Sequence, residues 1–236
     1  DQWRHHWKNQ NGKITLSLSL ANNSYTLHVP GLVSFKLDAD GDHVMCFPQP
    51  SVSEDIVGHF LVAQILPRIF AHFHDYPVLH ASCVTDEDGC WCFLGDTGCG
   101  KSTLAAAFAQ QGYTVLTDDC LSISTEPGCV RCTPSYSGIR LLPDSFKRLG
   151  YSEKLSFFLH EPSGKVQVLS QKKPSLSVPV KALFFLSPPA ENEGKSVVEV
   201  KALSKSEAMK MVLANSFSLD FYDTFYLERQ FFQIAG

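Results

Sequence analysis

Positive charge is in short supply in this chain. Its 236 residues carry 20 Lys and Arg against 24 Asp and Glu, a formal net charge of −4, so no basic footprint for a phosphate backbone exists and nucleic acid is not expected as a partner. Uninterrupted apolar runs are missing too. The longest candidate, Ile56 to Phe73, is broken by His59, Gln64, Pro67, Arg68 and His72; it reads as a buried helix, and no membrane contact is expected. Asp1-Gln2-Trp3-Arg4 lacks the pattern of a signal peptide, which makes the cytoplasm the default expectation. Neither repeats nor low-complexity tracts occur. Two cation-binding patterns begin and are not completed. The turn Asp38-Ala39-Asp40-Gly41-Asp42 resembles a calcium loop, but His43 stands where the glycine belongs and Gln49 where the bidentate glutamate belongs. Cys129-x-x-Cys132 is half a zinc pattern with no second Cys-x-x-Cys or His-x-x-x-His to close a tetrahedron, while Cys90-x-Cys92 points two thiols to one face of a strand. The eight cysteines, Cys46, Cys83, Cys90, Cys92, Cys99, Cys120, Cys129 and Cys132, are therefore expected mainly as reduced thiols in the core.

What the chain does have is apolar content, 44% of its residues, enough for one sizeable domain with a small N-terminal sheet. Residues 1–50 read as that sheet and 51–236 as the main domain. Ile14-Leu16-Leu18-Leu20 and Tyr25-Leu27-Val29 alternate on either side of Asn22-Asn23, a hairpin pattern, and a second hairpin joins Val33–Phe35 to Val44–Cys46.

The sharpest signal is Gly95-Asp96-Thr97-Gly98-Cys99-Gly100-Lys101-Ser102, a match to the phosphate-binding loop G-x-x-x-x-G-K-[ST]. Cys90–Leu94 before it reads as a buried strand, and Ser102–Gln111 after it as a helix that stops at Gly112. Gly95, Gly98 and Gly100 let successive N–H groups turn inward around phosphate oxygens at a helix N-terminus. Lys101 would reach the β/γ-phosphates and Ser102 would hold Mg²⁺. Cys99, at the start of the helix, is expected to be a reactive thiol whose alkylation competes with nucleotide.

Tyr113–Thr117 then forms a short strand ending in Asp118-Asp119, 17 residues beyond Lys101. A strand, crossover helix and second strand of these lengths predict a right-handed βαβ unit with adjacent parallel strands, which brings both carboxylates to the sheet edge beside the loop.

Leu79-His80-Ala81-Ser82, the turn Asp86-Glu87-Asp88-Gly89, the loop Gly95 to Thr103, Gly112 and Thr117-Asp118-Asp119 occur in an order and spacing that resembles the catalytic domain of HPr kinase/phosphorylase and its HPr-kinase-like relatives, more distantly related to phosphoenolpyruvate carboxykinase. The run Pro134-Ser135-Tyr136-Ser137-Gly138-Ile139-Arg140-Leu141 matches more loosely. The resemblance implies an α/β fold: a P-loop core of the HPr kinase C-terminal-domain type with a mixed sheet, beside the small antiparallel sheet. It implies ATP as donor, with GTP the open alternative, and Mg²⁺ as cofactor. Gly95, Asp96, Thr97, Gly98, Cys99, Gly100, Lys101, Ser102 and Thr103 would bind the nucleotide. Asp118 would be the general base on the acceptor hydroxyl, Asp119 would help Ser102 hold the metal, and His80 would stand near the phosphates; read from the residues alone, His80 is equally a satisfied strand-end histidine. Thr103 replaces an acid found in HPr kinases proper, and Thr133 to Ile139 carries none of their acidic segment. These departures point to relatives from peptide natural-product clusters, including lasso-peptide clusters, and so to a serine in a peptide or small protein as acceptor. A weakened nucleotide-binding regulatory module, HPr(Ser) kinase/phosphorylase proper and a simple ATPase or GTPase remain as alternatives, and homo-oligomerisation is left open.

Further along, Leu121–Ile123 and Val130–Cys132 flank Glu126-Pro127-Gly128 as a hairpin, Pro143 opens a short helix to Leu149, and Ser156 to Ser170 reads as a hairpin through Glu161-Pro162-Ser163-Gly164. Val178–Leu186 and Ser196–Val200 read as strands, Ser204-Lys205-Ser206-Glu207 as a capping box, and about Phe221 to Ile234 as a last helix with an aromatic core stripe. Arg131 and Arg140 are the nearest arginines in chain order to the expected site, and solvation is the commoner fate of such residues. Lys165, Lys172 and Lys173 read as loop lysines.

Overall fold

The computed structural model describes residues 3–74, 76–135, 138–151, 156–158, 164–168, 177–187 and 198–235. They divide into two compact units. The first comprises residues 3–76 and 217–230, so the boundary drawn at residue 50 falls inside it. An antiparallel meander, β1 (His5–Lys8), β2 (Ile14–Ala21), β3 (Ser24–Val29), β4 (Val33–Leu37) and β5 (Val44–Pro48), supplies its sheet. Asn22 and Asn23 both take the left-handed conformation (φ 49° and 57°), the turn in which an Asn pair closes a two-residue hairpin. Alternation buries Leu16, Leu18, Leu27, Val29, Val33, Phe35 and Leu37 on one face, against Ile65 and Ile69 of the helical run that follows. That run is α1 (Glu54–Phe60), a π-helical turn (Leu61–Ile65) and α2 (Leu66–Phe73). Pro67 lacks the N–H that a regular helix would donate there, and the π turn lies just before it. By length and composition the stretch Glu54–Phe73 could cross a membrane, yet here it lays one side on the sheet.

The described residues of 77–216, with 231–235, form the second unit. Its strands are β6 (Val78–Leu79), β7 (Ala81–Thr85), β8 (Cys90–Leu94), β9 (Thr114–Thr117), β10 (Leu121–Glu126), β11 (Cys129–Pro134), β12 (Ile139–Leu141), β13 (Ser156–Phe158), β14 (Val166–Val168) and β15 (Val178–Phe185). Its helices are α3 (Lys101–Gln110), α4 (Pro143–Arg148) and α5 (Lys205–Ala214), and α6 (Thr224–Ala235) ends the chain. The main sheet is mixed, in the order β6-β10-β11-β15-β8-β7-β9, and β12-β14-β13 form a smaller antiparallel one. β8 and β9 run parallel, as the loop and helix between them require, but they are not neighbours: β7 stands between them, antiparallel to both. The reason is local. Asp86–Gly89 closes a tight hairpin between Thr85 and Cys90, with the Asp88 N–H bonded to Asp86 Oδ1 at 2.8 Å, and so short a closure costs less chain entropy than any pairing across the helix.

The ends of this sheet order are tied together. β6 sits at one end and β7 next to the other, yet only His80 separates them in sequence, and two peptide units span at most about 7 Å. The sheet therefore curls on itself. Period-two alternation sorts its side chains: Ala81, Cys83, Cys92, Leu94 and Leu116 face the inside of the curl, while Val84, Phe93 and Val115 face outward under α3, meeting Ala105, Ala106, Ile139 and Leu141.

The hairpin at Glu126-Pro127-Gly128 (β10–β11), the Pro143 helix (α4), the pairing of 156–158 with 166–168 and the capping box at Ser204 are all present. Of the strand expected at Ser196–Val200, residues 198–200 are described and are not in a strand. Glu161–Ser163, Lys172, Lys173, Tyr136 and Ser137 lie outside the described residues.

Candidate functional site

β8 ends at Leu94, and the chain turns through Gly95–Gly100 into α3. All three of the loop's glycines have positive φ, where a side chain is strained. Gly95 has φ 139°, and a Cβ there would lie 2.6 Å from the carbonyl oxygen of Leu186; Gly100, at the helix N-cap, is left-handed with φ 92°. The Gly95 N–H donates to Asn215 Oδ1 (3.0 Å) and the Cys99 N–H to the Asp96 carbonyl (3.2 Å). Lys101 is buried, with its Nζ held by the carbonyls of Gly95 (2.6 Å) and Asp96 (3.1 Å). Burial lowers its pKa from the ordinary lysine value.

Asp118 follows β9 and is fully buried. Its Oδ1 accepts hydrogen bonds from Ser102 Oγ (3.0 Å) and from Ser82 Oγ, and its Oδ2 accepts from the Arg140 N–H (2.9 Å). Elements from four parts of the unit thus meet at one carboxylate: α3, β7, β9 and β12. Asp119 is buried too and adopts a left-handed backbone (φ 73°), an uncommon state that aspartate tolerates better than most residues. Among the contacts that hold this turn, its carboxylate pairs with the Arg140 guanidinium, its carbonyl accepts from His80 Nδ1 (3.0 Å), and Thr117 Oγ1 closes onto the Cys120 carbonyl (2.7 Å).

A carbonyl can only accept, so the proton of the His80 ring sits on Nδ1 and Nε2 is its acceptor side. Desolvation, helped by Lys101, lowers the pKa of His80 to about 3. The ring is neutral at physiological pH and orients its neighbours without carrying charge. An unfolded imidazole takes its proton near 6.5, so between about pH 6.5 and 3 the unfolded chain binds more protons, and stability falls with pH by at most about 1.4 kcal/mol per unit. Urea titrations of wild type and His80→Asn from about pH 7 to about pH 4 should show the wild type's advantage shrinking as pH falls; a constant gap would mean that the ring titrates normally.

No protein-family profile matches the chain, and no curated protein matches it either. Among solved structures it is similar to the HPr(Ser) kinase/phosphatase from Coxiella burnetii, at 16% identity and a TM-score of 0.34, over 49% of this chain and 68% of that one. A likeness this distant assigns no residue a role.

Of the residues singled out from sequence, Gly95, Lys101, Ser102, Asp118, Asp119 and His80 converge on one edge of the curled sheet. Thr103 points elsewhere, its hydroxyl on Ser145 Oγ (3.1 Å). Arg140 is buried in the site, whereas Arg131 bonds Ser177 and Glu126 at the far hairpin. Ser82, Asn215 and Lys165 join them: Ser82 stands in the Leu79–Ser82 run with no role assigned to it, Lys165 reads from sequence as a loop lysine, and Asn215 has no motif to announce it. Ser82 carries a faint signal, a hydroxyl inside a strand buried on both faces. Asn215, which also accepts the His80 N–H on its carbonyl (2.7 Å), arrives from the end of α5 with none. Lys165 lies close enough to depress the pKa of both His80 and Lys101.

Proposed function

We propose that this protein is a nucleotide-dependent phosphotransferase that moves the γ-phosphoryl group of ATP to a serine hydroxyl of a peptide or small protein. The observation that carries this reading is the Ser102–Asp118 contact of 3.0 Å at the foot of the Gly95–Lys101 loop, which joins an anion cradle, a cation and a carboxylate in one place. Lys101 would exchange the carbonyls of Gly95 and Asp96 for phosphate oxygens. Asp118 would accept the proton of the acceptor hydroxyl as its oxygen bonds the γ-phosphorus and the bond to the β-phosphate oxygen breaks. The hydroxyl of Ser102 and the carboxylate of Asp119 are hard oxygen donors of the kind Mg²⁺ takes, so the residues present fit that ion. Bound there, it would neutralise phosphate charge. His80, Lys165 and Arg140 add a neutral donor–acceptor and two cations around the same edge. The serine acceptor and the precursor-peptide class rest on the resemblance described from sequence.

A second reading, a nucleotide-binding regulatory module, draws support from the full engagement of Asp118 by three donors and from the absence of an acid at Thr103. Incubation with γ-labelled ATP, Mg²⁺ and candidate serine peptides, followed by mass spectrometry, separates the two. A gain of one phosphate on a serine is the expected result. Tight ATP binding without transfer to any peptide would favour the regulatory module, and absence of nucleotide binding would overturn both.

A further inference from the structure

The inside of the curled sheet contains four sulfur atoms where apolar side chains would serve equally well for packing. Cys83, Cys90, Cys92 and Cys132 are each fully buried, and their Sγ atoms all lie within 4.8 Å of one another. Cys90 Sγ is 3.1 Å from Cys132 Sγ, and Cys83 Sγ is 3.4 Å from Cys92 Sγ. We propose that these four thiols form a structural zinc site, a Zn²⁺ tetrathiolate at the centre of the sheet.

Register explains how a pattern scattered over 50 residues converges. Cys83 on β7 is paired directly with Cys92 on β8, so the two share a face, and Cys90, two residues before Cys92, shares it as well. Cys132 on β11 pairs with Val178, and Cys90 with Val180, so all of these lie on one side of the sheet, with β15 between the two cysteines. The curl then brings β11 and β8 toward each other across the interior. Four Zn–S bonds of about 2.3 Å set tetrahedral S···S edges of about 3.8 Å. The separations of 3.1 and 3.4 Å, within a set that nowhere exceeds 4.8 Å, need only small side-chain adjustments to reach that edge. All four donors are soft, which selects zinc over Mg²⁺ or Ca²⁺. The ligand count is complete without water, the mark of a structural site. Cys92 is three residues from Gly95 along one strand, about 10 Å, so this ion would sit apart from the candidate phosphotransfer site. The half-pattern Cys129-x-x-Cys132 is divided by the fold: Cys132 joins the cluster, while Cys129 is partly exposed and outside it. Binding would release the four thiol protons and leave the oxidation state of sulfur unchanged.

The test is elemental analysis of the full chain, purified from zinc-supplemented culture without chelators. About one zinc per chain is expected. Cys90→Ser and Cys132→Ser should each lower metal content at least severalfold, and Cys129→Ser should leave it unchanged. Where a ligand variant does not fold, wild-type protein refolded with cobalt(II) keeps the question decidable: the intense visible bands of tetrahedral cobalt and thiolate-to-metal charge transfer would support the site. Thiol counting completes the set. If the folded, metal-free protein refolds without any metal and yields all eight thiols on denaturation, the cysteines are plain core residues and the proposal is overturned. Four missing thiols, restored only by reductant, would mean disulfides and would overturn it equally.

Discussion

Asp118→Asn should slow phosphoryl transfer by about 10²–10⁴-fold, the usual contribution of a positioned proton acceptor, while changing nucleotide affinity by no more than about twofold. The substitution is gentle on the fold. The introduced amide would keep a carbonyl oxygen for the Arg140 N–H, and its NH₂ group would face the hydroxyls of Ser82 and Ser102, which can rotate to accept instead of donate. What disappears is the ability to take a proton. Single-turnover transfer and calorimetric binding of ATP, each with and without Mg²⁺, measure the two quantities separately. If affinity for Mg²⁺·ATP falls more than about tenfold while affinity for free ATP holds, Asp118 acts as the metal-side carboxylate and the base lies elsewhere. If transfer survives, the proposed chemistry fails.

Arg140→Met should destabilise the second unit by about 3–5 kcal/mol, the cost of leaving a buried charge without its partner. Arg140 and Asp119 are 8% and 7% exposed, too little for water to replace the guanidinium. The loss is compounded by backbone: Asp119 holds φ 73°, and without the pair the turn that aims Asp118 has one tether fewer. The double variant Asp119→Asn/Arg140→Met should recover more than half of the loss, because it removes both buried charges. Urea unfolding of the single and double variants checks this. A cost under about 1 kcal/mol for Arg140→Met would show that the turn is held without the Arg140 pair.

Much of the local architecture was readable in the sequence. Alternation and the Asn22-Asn23 turn predicted the first hairpin, Pro143 and the Ser204 capping box predicted two helix starts, and glycine spacing predicted the turn between β8 and α3. Strand order was not readable. Periodicity says which side chains share a face but not which edge a strand joins, so β7, locally closed by its own hairpin, separates the parallel pair that a simple crossover predicts to be adjacent. The thiol cluster was hidden for the same reason: Cys90 and Cys92 were visibly co-facial, but only the curl makes Cys132 their neighbour and leaves Cys129 out. At the site, Gly95, Lys101, Ser102 and the acid pair converged, because strand–loop–helix geometry is short-range, while Thr103 turned to Ser145. Arg140, Ser82 and Asn215 depend on pairings 22 to 120 residues apart: Arg140 and Ser82 stand in runs noticed from sequence, but nothing local says what they touch, and Asn215 stands in none.

Asn215 gives the architecture a temporal consequence. Its side chain receives the Gly95 amide and its carbonyl receives the amide of His80, yet it is synthesised 120 residues after that glycine. The bonds that pin the glycine turn and the seam at His80 can form only once the C-cap of α5 has been made. These two bonds fasten the loop and β7 to a residue made long after both.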